Sequence, residues 1–227
     1  ITVSSSGERL VLALPLAPGE KLYGLGLNFK HLEIQQTIRH LHVDHFGGQD
    51  NGRTHAPVPF YVSSRGYGVF VNLARYISVY AGGTHRKESH PPIIDRQSRE
   101  WRDVQPGTQV EIAIPGPGAE IMVFAGPTLL DVVRRFNLYC GGGCLPARHG
   151  LGFWHRVPMG FSDQQAIEEA DAFAERGFPL DVMGLEPGWH TQSYPTTYEW
   201  NPTRFPEPAR FISSMAGRGI HINLWEN

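Results

Sequence analysis

Up to about residue 125, apolar positions come in short runs that glycine, proline, asparagine and serine interrupt. Runs of this length and composition are typical of β-strands joined by turns. Because no helical pattern separates them, we expect an antiparallel β-sandwich over residues 1–125. The predicted strands cover residues 10–16, 58–63, 68–73, 76–80 and 110–114.

Residues 126–139 predict the first helix. Thr128 and Asp131 have the spacing of a capping box, in which the hydroxyl of Thr128 accepts a hydrogen bond from the backbone amide of Asp131. Apolar residues at helical spacing give one buried stripe: Leu129, Val132, Val133 and Phe136. The run Cys140-Gly-Gly-Gly-Cys144-Leu-Pro ends this helix, so we interpret residues 126–146 as a helix and linker.

From residue 147 onward, apolar runs alternate with helical patterns. Strands are expected over residues 150–155, 180–185 and 220–225, and helices over 162–176 and 208–216. Strand–helix alternation predicts parallel strands joined by right-handed crossovers. Three such strands would leave open edges, and the natural completion is a (β/α)8 barrel of ~250 residues. We therefore interpret residues 147–227 as the first three strands of a barrel, and the chain as truncated within it.

Composition narrows the classes of partner. The 20 basic and 22 acidic residues leave a formal charge of −2, which argues against nucleic acid as a partner. The apolar runs are far shorter than the ~20 residues of a membrane-spanning helix, so no membrane partner is expected. The 2 cysteines are too few for a disulfide scaffold. A small disulfide between Cys140 and Cys144 is one option, and free thiols are the favoured one.

Six motifs in a fixed order resemble glycoside hydrolase family 31. Two resemble its N-terminal, galactose-mutarotase-like sandwich: Leu22-Tyr-Gly-Leu-Gly26 and Pro59-Phe-Tyr-Val-Ser-Ser-Arg-Gly-Tyr-Gly-Val-Phe70. The others are similar to the first strands and helix of its catalytic barrel: Leu145-Pro-Ala-Arg-His-Gly-Leu-Gly-Phe-Trp154, Phe161-Ser-Asp with Gly177-Phe-Pro-Leu-Asp181-Val-Met-Gly-Leu-Glu186, Asn201 with Arg204-Phe-Pro206, and Gly219-Ile-His-Ile-Asn-Leu-Trp225.

The resemblance implies a retaining α-glycosidase that acts on oligosaccharides or glycosides without a metal or other cofactor. In this family the nucleophile and the acid/base are aspartates on later barrel strands, so no catalytic residue is expected in this chain. The 227 residues alone should be inactive, and the rest of the barrel is an expected partner. An α-glucosidase is the favoured activity, and an α-galactosidase or other α-hexosidase is the alternative. A non-catalytic carbohydrate-binding module or a pseudoenzyme is the alternative of another class.

Glu186 is the leading candidate for contact with the sugar. It ends the predicted second barrel strand, where barrel enzymes collect functional groups. The resemblance implies an acidic residue here that accepts hydrogen bonds from sugar hydroxyls. This chain has Glu186-Pro-Gly-Trp189 where the α-glucosidase-like pattern has Asp-x-Asp and an aromatic. The longer side chain and the Pro-Gly turn should shift the carboxylate, which weakens the case for glucose.

Three further candidates lie near the same strand ends. Trp189 either stacks on a sugar ring or packs in the core, and Trp225 or Glu226 should face the pocket, whereas Trp154 is expected in the core. From the residues alone, Glu186 and Glu226 could form a catalytic pair on neighbouring strands. The resemblance argues against that pair because it puts the chemistry later in the chain.

One polar segment of the sandwich also needs an interpretation. His40, His42 and Asp44 alternate along a predicted strand, so they could share a face and bind zinc. A polar strand face is the favoured reading, because no further ligand pair stands at suitable spacing. The resemblance instead implies that Asp44 lies in a loop over the barrel mouth and contacts the sugar.

Overall fold

The computed structural model describes residues 1–6, 9–27, 31–43, 52–83 and 106–226. The chain forms two compact units, Ile1–Gly143 and Cys144–Asn227. None of the helices in the described ranges combines the length and the apolar character that crossing a membrane requires.

The first unit is a sandwich of two sheets, as predicted. Its strands are β1 Thr2–Ser6, β2 Arg9–Pro15, β3 Leu22–Gly24, β4 Thr37–Leu41, β5 Phe60–Ser63, β6 Tyr67–Asn72, β7 Ile77–Gly83, β8 Pro106–Pro115 and β9 Glu120–Ala125. One sheet has five strands in the order β1-β2-β8-β7-β4, and the other has four in the order β3-β5-β6-β9. All pairings between these named strands are antiparallel.

Alternate residues of both sheets form the core of the sandwich. This follows from the period of two in a strand, which sends every second side chain to the same face. Buried members from the five-stranded sheet include Leu12, Leu14, Val79, Ile112 and Ile114, and those from the four-stranded sheet include Leu22, Tyr61, Val69 and Val71.

Helix α1 (Leu129–Tyr139) packs on the four-stranded sheet. Its N-cap is Thr128, whose hydroxyl accepts the amide of Asp131 at 3.2 Å, which confirms the predicted cap. The ring of Phe136 stacks on Phe60 of β5 with centroids 3.8 Å apart. A side chain at Gly68 would lie 2.7 Å from the ring of Phe60 and 2.8 Å from Val132, so the close approach of α1 depends on this glycine.

The second unit has parallel strands that alternate with helices, as predicted. Strands β10 (Trp154–Val157), β11 (Val182–Leu185) and β12 (His221–Leu224) pair in parallel in the order β10-β11-β12. Helix α2 (Asp163–Glu175) connects the first pair and α3 (Pro208–Gly217) the second. Their apolar faces form one core with the strands: Val157, Ala166, Ala170, Met183, Leu185, Phe205, Phe211, Met215 and Ile220.

Helix α2 begins at a capping serine, Ser162, and ends before a glycine, Gly177. Ser162 and Gln165 form the complete reciprocal capping box. Gly177 has φ +69°, the left-handed conformation expected after a helix C-terminus. Helix α3 ends one residue later than predicted, since Gly217 is still helical, and the left-handed residue that follows is Gly219, with φ +76°.

The first barrel strand begins four residues later than predicted. Arg148–Leu151 forms a 3-10 turn, and β10 begins only at Trp154. The carboxylate of Asp181 accepts the amide of Phe153 at 2.8 Å, and this contact anchors the chain just before the strand. The expectation of a core position for Trp154 is wrong for this structure, since 47% of the residue is exposed.

Candidate functional site

The strands of the second unit present two different faces. Val157, Met183 and Leu185 belong to the core shared with α2 and α3. Because side chains alternate along a strand, residues between these positions lie on the face away from the helices. Arg156 of β10, Gly184 of β11 and Asn223 of β12 are register partners on that face.

Glu186 lies on this face, directly after the carboxyl end of β11. It holds the N-cap position of a 3-10 turn formed by Pro187–Trp189, yet its side chain makes no capping bond. Its Oε1 atom lies 2.5 Å from Nη2 of Arg156. The side chain of Glu186 is 32% exposed and that of Arg156 is 50% exposed, so the ion pair is open to solvent on one side.

The missing side chain at Gly184 gives Arg156 its path to Glu186. A Cβ atom at Gly184 would lie 3.0 Å from Cγ of Arg156 and 3.7 Å from Oδ1 of Asn223. The stem of Arg156 therefore lies over the backbone of β11. This places its guanidinium beside the residue that follows the strand.

The Pro-Gly sequence after Glu186 has a steric explanation. A Cβ atom at Gly188 would lie 1.7 Å from the carbonyl oxygen of Met159, closer than any side chain can approach. Glycine thus allows the 3-10 turn to close against the loop that follows β10. Pro187 fixes the first residue of the turn, where a free backbone amide has no helical partner.

Trp189 is part of the core and has only 4% of its surface exposed. Its Nε1 donates to the carbonyl oxygen of Trp225 at 2.9 Å. Its ring packs against His190, with centroids 3.5 Å apart, and against Trp200 at 5.0 Å. Of the two roles considered for Trp189, this arrangement favours packing.

Trp225 and Glu226 follow β12 at the same end of the sheet. The amide of Trp225 donates to the carbonyl oxygen of Leu185 at 3.0 Å and so continues the pairing of β12 with β11. The Trp225 ring is partly exposed and meets Tyr194 edge-on at 6.1 Å. Glu226 is exposed. The structure therefore brings the aromatic ring of Trp225 and the carboxylate of Glu186 to one end of two neighbouring strands.

Both units match domains of one protein family. Residues 2–79 match the glycosyl hydrolase 31 N-terminal galactose mutarotase-like domain. Residues 143–227 match the glycosyl hydrolases family 31 TIM-barrel domain. The chain belongs to glycoside hydrolase family 31.

The curated relatives of this chain carry two kinds of name. The α-xylosidase XylQ of Lactiplantibacillus pentosus is 27% identical over 94% of this chain and 26% of its own length. An α-glucosidase of Saccharolobus solfataricus is 25% identical over 68% of this chain and 22% of its own length. This chain thus spans about a quarter of the length of the curated relatives it matches.

A solved family 31 structure has the same fold. The dextranase of Flavobacterium johnsoniae, determined in complex with glucose, superposes with a TM-score of 0.80. The match covers 99% of this chain and 25% of the dextranase chain, at 17% identity. It supports the architecture of a family 31 sandwich followed by the first barrel strands.

The remaining sequence-based candidates lie in the sandwich and the linker. Asp44 is outside the described residues, so its contact with a sugar stays a prediction. Nδ1 of His40 lies 2.9 Å from the hydroxyl of Ser78, and the ring of His42 packs against Tyr76 at 4.1 Å. Within the described ranges, no group of three or more metal-ligating side chains is present. Cys140 and Cys144 are exposed free thiols.

Two residues of the site were not identified from the sequence. Arg156 was missed because an arginine in a short strand carries no signal for its partner. The glycine at its register position, Gly184, was the one available hint of a side chain crossing that strand. His190 was also missed: it is 1% exposed, its Nε2 lies 3.3 Å from the carbonyl oxygen of Trp225, and its buried Nδ1 has no partner in the described part of the chain.

Proposed function

We propose that this chain supplies the sandwich and the first barrel strands of a retaining α-glycosidase, which releases terminal α-linked sugars from oligosaccharides or glycosides. The observation that carries the proposal is the carboxylate of Glu186 at the carboxyl end of β11, in a chain with both family 31 domains. Carboxyl ends of barrel strands are where barrel enzymes bind substrate and perform chemistry.

In this proposal Glu186 binds hydroxyls of the sugar at the cleavage point. The guanidinium of Arg156 contacts Oε1 of Glu186, and the Glu186 side chain is still 32% exposed. An ionised carboxylate accepts strong, charge-assisted hydrogen bonds from hydroxyl groups. The partly exposed ring of Trp225 offers an apolar face for the C–H side of a pyranose.

In this proposal the bond-breaking groups are two aspartates on later barrel strands, after residue 227. One forms the covalent glycosyl-enzyme, and the other first protonates the leaving group and then activates water.

The proposed sugars are xylose and glucose in α-linkage. The relatives are named α-xylosidases and α-glucosidases, and the α-xylosidase match extends over more of this chain. The two sugars share the hydroxyls at C2, C3 and C4, so a carboxylate that binds these groups serves both. The sequence favoured a hexose as substrate, and the proposal here also includes a pentose, xylose.

The test uses the full-length protein and three substrates: the 4-nitrophenyl α-glycosides of xylose, glucose and galactose. Turnover of the xyloside or glucoside, with release of the α-anomer first in a proton NMR time course, is the expected result. First release of the β-anomer contradicts a retaining mechanism. Preference for the galactoside supports the α-galactosidase alternative, and binding of all three without hydrolysis supports a non-catalytic protein.

A second experiment tests the assignment of the catalytic pair. The purified 227-residue chain is expected to hydrolyse none of these glycosides, because loss of a nucleophile removes the covalent route. Turnover by this chain that disappears in Glu186→Gln or Glu226→Gln would instead identify those two residues as the catalytic pair.

A further inference from the structure

We infer that Arg156 is a positioning residue for the candidate substrate-binding carboxylate: it holds Glu186 in the one orientation that binds the sugar. This inference rests on the proposed function, since it gives Arg156 a role through Glu186. The observation behind it is the 2.5 Å contact between Nη2 of Arg156 and Oε1 of Glu186.

Glu186 needs an external support to have a defined orientation. Its backbone belongs to a tight 3-10 turn, but its side chain makes no capping bond there. A glutamate that is one-third exposed has three rotatable bonds and several rotamers of similar energy. Among the described residues, Arg156 is the one that forms an ion pair with it.

Arg156 is well suited to provide that support. Its backbone lies in β10 and is paired with β11, so the start of its side chain is fixed relative to Glu186. Gly184 leaves space for its stem to cross β11, and Asn223 lies on the far side of that space. The planar guanidinium fixes direction better than an ammonium group does, because its N–H groups form a rigid fork.

The pair also sets the charge of this part of the pocket. The Arg156–Glu186 pair carries no net charge, and both of its side chains remain partly exposed to a ligand. A neutral sugar can then bind without a change in the net charge of the site. Preorganisation of this kind reduces the free energy spent on ordering the site when substrate binds.

The experiment is a double-mutant cycle in the full-length enzyme, read out as kcat/KM for 4-nitrophenyl α-xyloside and α-glucoside. Arg156→Gln should lower kcat/KM about 10- to 100-fold when Glu186 is present. In the Glu186→Gln background the same change should cost less than about 3-fold, since no carboxylate remains to be positioned. Arg156→Lys should recover part of the loss, because it restores the charge without the fork.

A further variant, Gly184→Ala, changes geometry without changing charge. Gly184→Ala puts a methyl group 3.0 Å from Cγ of Arg156 and should displace the guanidinium. We expect a several-fold loss of kcat/KM with little change in the melting temperature. Gly217→Ala is the matched control, since a Cβ there meets nothing within 4 Å, and Arg210→Gln removes an exposed arginine paired with Glu207.

The possible outcomes separate the two proposals. If wild type hydrolyses a nitrophenyl glycoside but Arg156→Gln matches it, or costs the same in both Glu186 backgrounds, Arg156 has no positioning role and the proposed function stands. If wild type hydrolyses none of the α-glycosides, the proposed function fails and the positioning role fails with it.

Discussion

The indole N–H of Trp189 donates to the backbone carbonyl of Trp225, and this bond ties the turn after β11 to the residue after β12. The same carbonyl oxygen lies 3.3 Å from Nε2 of His190. Two side chains from one loop therefore converge on a single acceptor of the neighbouring strand. This contact fixes the backbone on both sides of the candidate sugar site, including the segment that carries Glu186.

In the full-length protein, we expect Trp189→Phe to lower the stability of the barrel unit without abolishing activity. The variant keeps an aromatic ring but loses the hydrogen bond and part of the packing, a cost of about 1–3 kcal/mol. Urea denaturation followed by the fluorescence of the remaining tryptophans measures the loss.

Trp225→Phe is the matched control for this bond. The acceptor is the backbone carbonyl of Trp225, so replacing its side chain leaves the bond to Trp189 in place. Because the Trp225 ring is only partly buried, the stability loss should be under about 1 kcal/mol. Equal losses in the two variants would show that the Trp189–Trp225 bond has no special part in stability.

The fold could be predicted because its signals are local and agree with one another. The capping residues Thr128 and Ser162 mark helix starts, and the alternation after residue 147 predicts the parallel strands. The start of β10 could not be predicted, because the apolar run that begins at Gly150 continues through a 3-10 turn. There a tertiary contact, from Asp181 to the amide of Phe153, marks the end of the turn.

The site was less predictable because its contacts join distant parts of the chain. Strand ends indicated Glu186, Trp189 and Trp225, but the sequence carries no sign that Trp189 turns inward. That orientation depends on an acceptor 36 residues away along the chain. The pairing of Arg156 with Glu186 likewise depends on the register of β10 with β11, which becomes visible only in three dimensions.

Gly68→Ala should weaken the attachment of α1 to the sandwich. The added methyl group would lie 2.7 Å from the ring of Phe60 and 2.8 Å from Val132, so one of them must move. Overpacking of this kind costs about 1–3 kcal/mol. Amide hydrogen exchange in Leu129–Tyr139 should accelerate, as followed by mass spectrometry.

Gly118→Ala is the control for this substitution, since a Cβ at that glycine meets nothing within 4 Å. In Gly118→Ala, amide hydrogen exchange in α1 should match that of wild type. Unchanged exchange in Gly68→Ala as well would mean that α1 and the sheet adjust to the methyl group at no cost.

His40 should make the sandwich less stable as the pH falls below neutrality. Burial, aided by the positive charge of Arg53, lowers the pKa of His40 to about 4 from its ordinary value near 6.5. Between these two values the unfolded chain takes up a proton that the folded chain does not. The contribution of His40 to the free energy of unfolding is therefore complete above pH 6.5. It is lost as the pH falls toward 4, by up to about 3 kcal/mol.

The measurement is the urea midpoint of the strand signal in circular dichroism at several pH values between about 7 and 4.5. His40→Asn retains a polar group near Ser78 and removes the titration, so its midpoint should depend less on pH. The exposed His31, changed to Asn, should leave the wild-type dependence intact. A slope that is unchanged in His40→Asn would exclude His40 as its source.

The last prediction concerns Glu186 in the full-length protein. If its carboxylate accepts hydrogen bonds from sugar hydroxyls, Glu186→Ala leaves those hydroxyls without this partner. Charged hydrogen bonds contribute roughly 1.5–3 kcal/mol each, so kcat/KM should fall about 10- to 1000-fold. Exposed Glu207, changed to Ala, should alter kcat/KM less than about 2-fold.

Monodeoxy substrates decide whether the loss arises from contact with the sugar. For the analogue that lacks the contacted hydroxyl, Glu186→Ala should cost far less, because that bond is already missing in wild type. A glutamate that only stabilises the loop would lower the melting temperature and reduce kcat/KM equally for every analogue. If Glu186→Ala lowers kcat/KM by the same factor for every deoxy substrate as for the intact one, Glu186 does not contact the sugar. A reduced loss at one position would instead identify the hydroxyl that it binds.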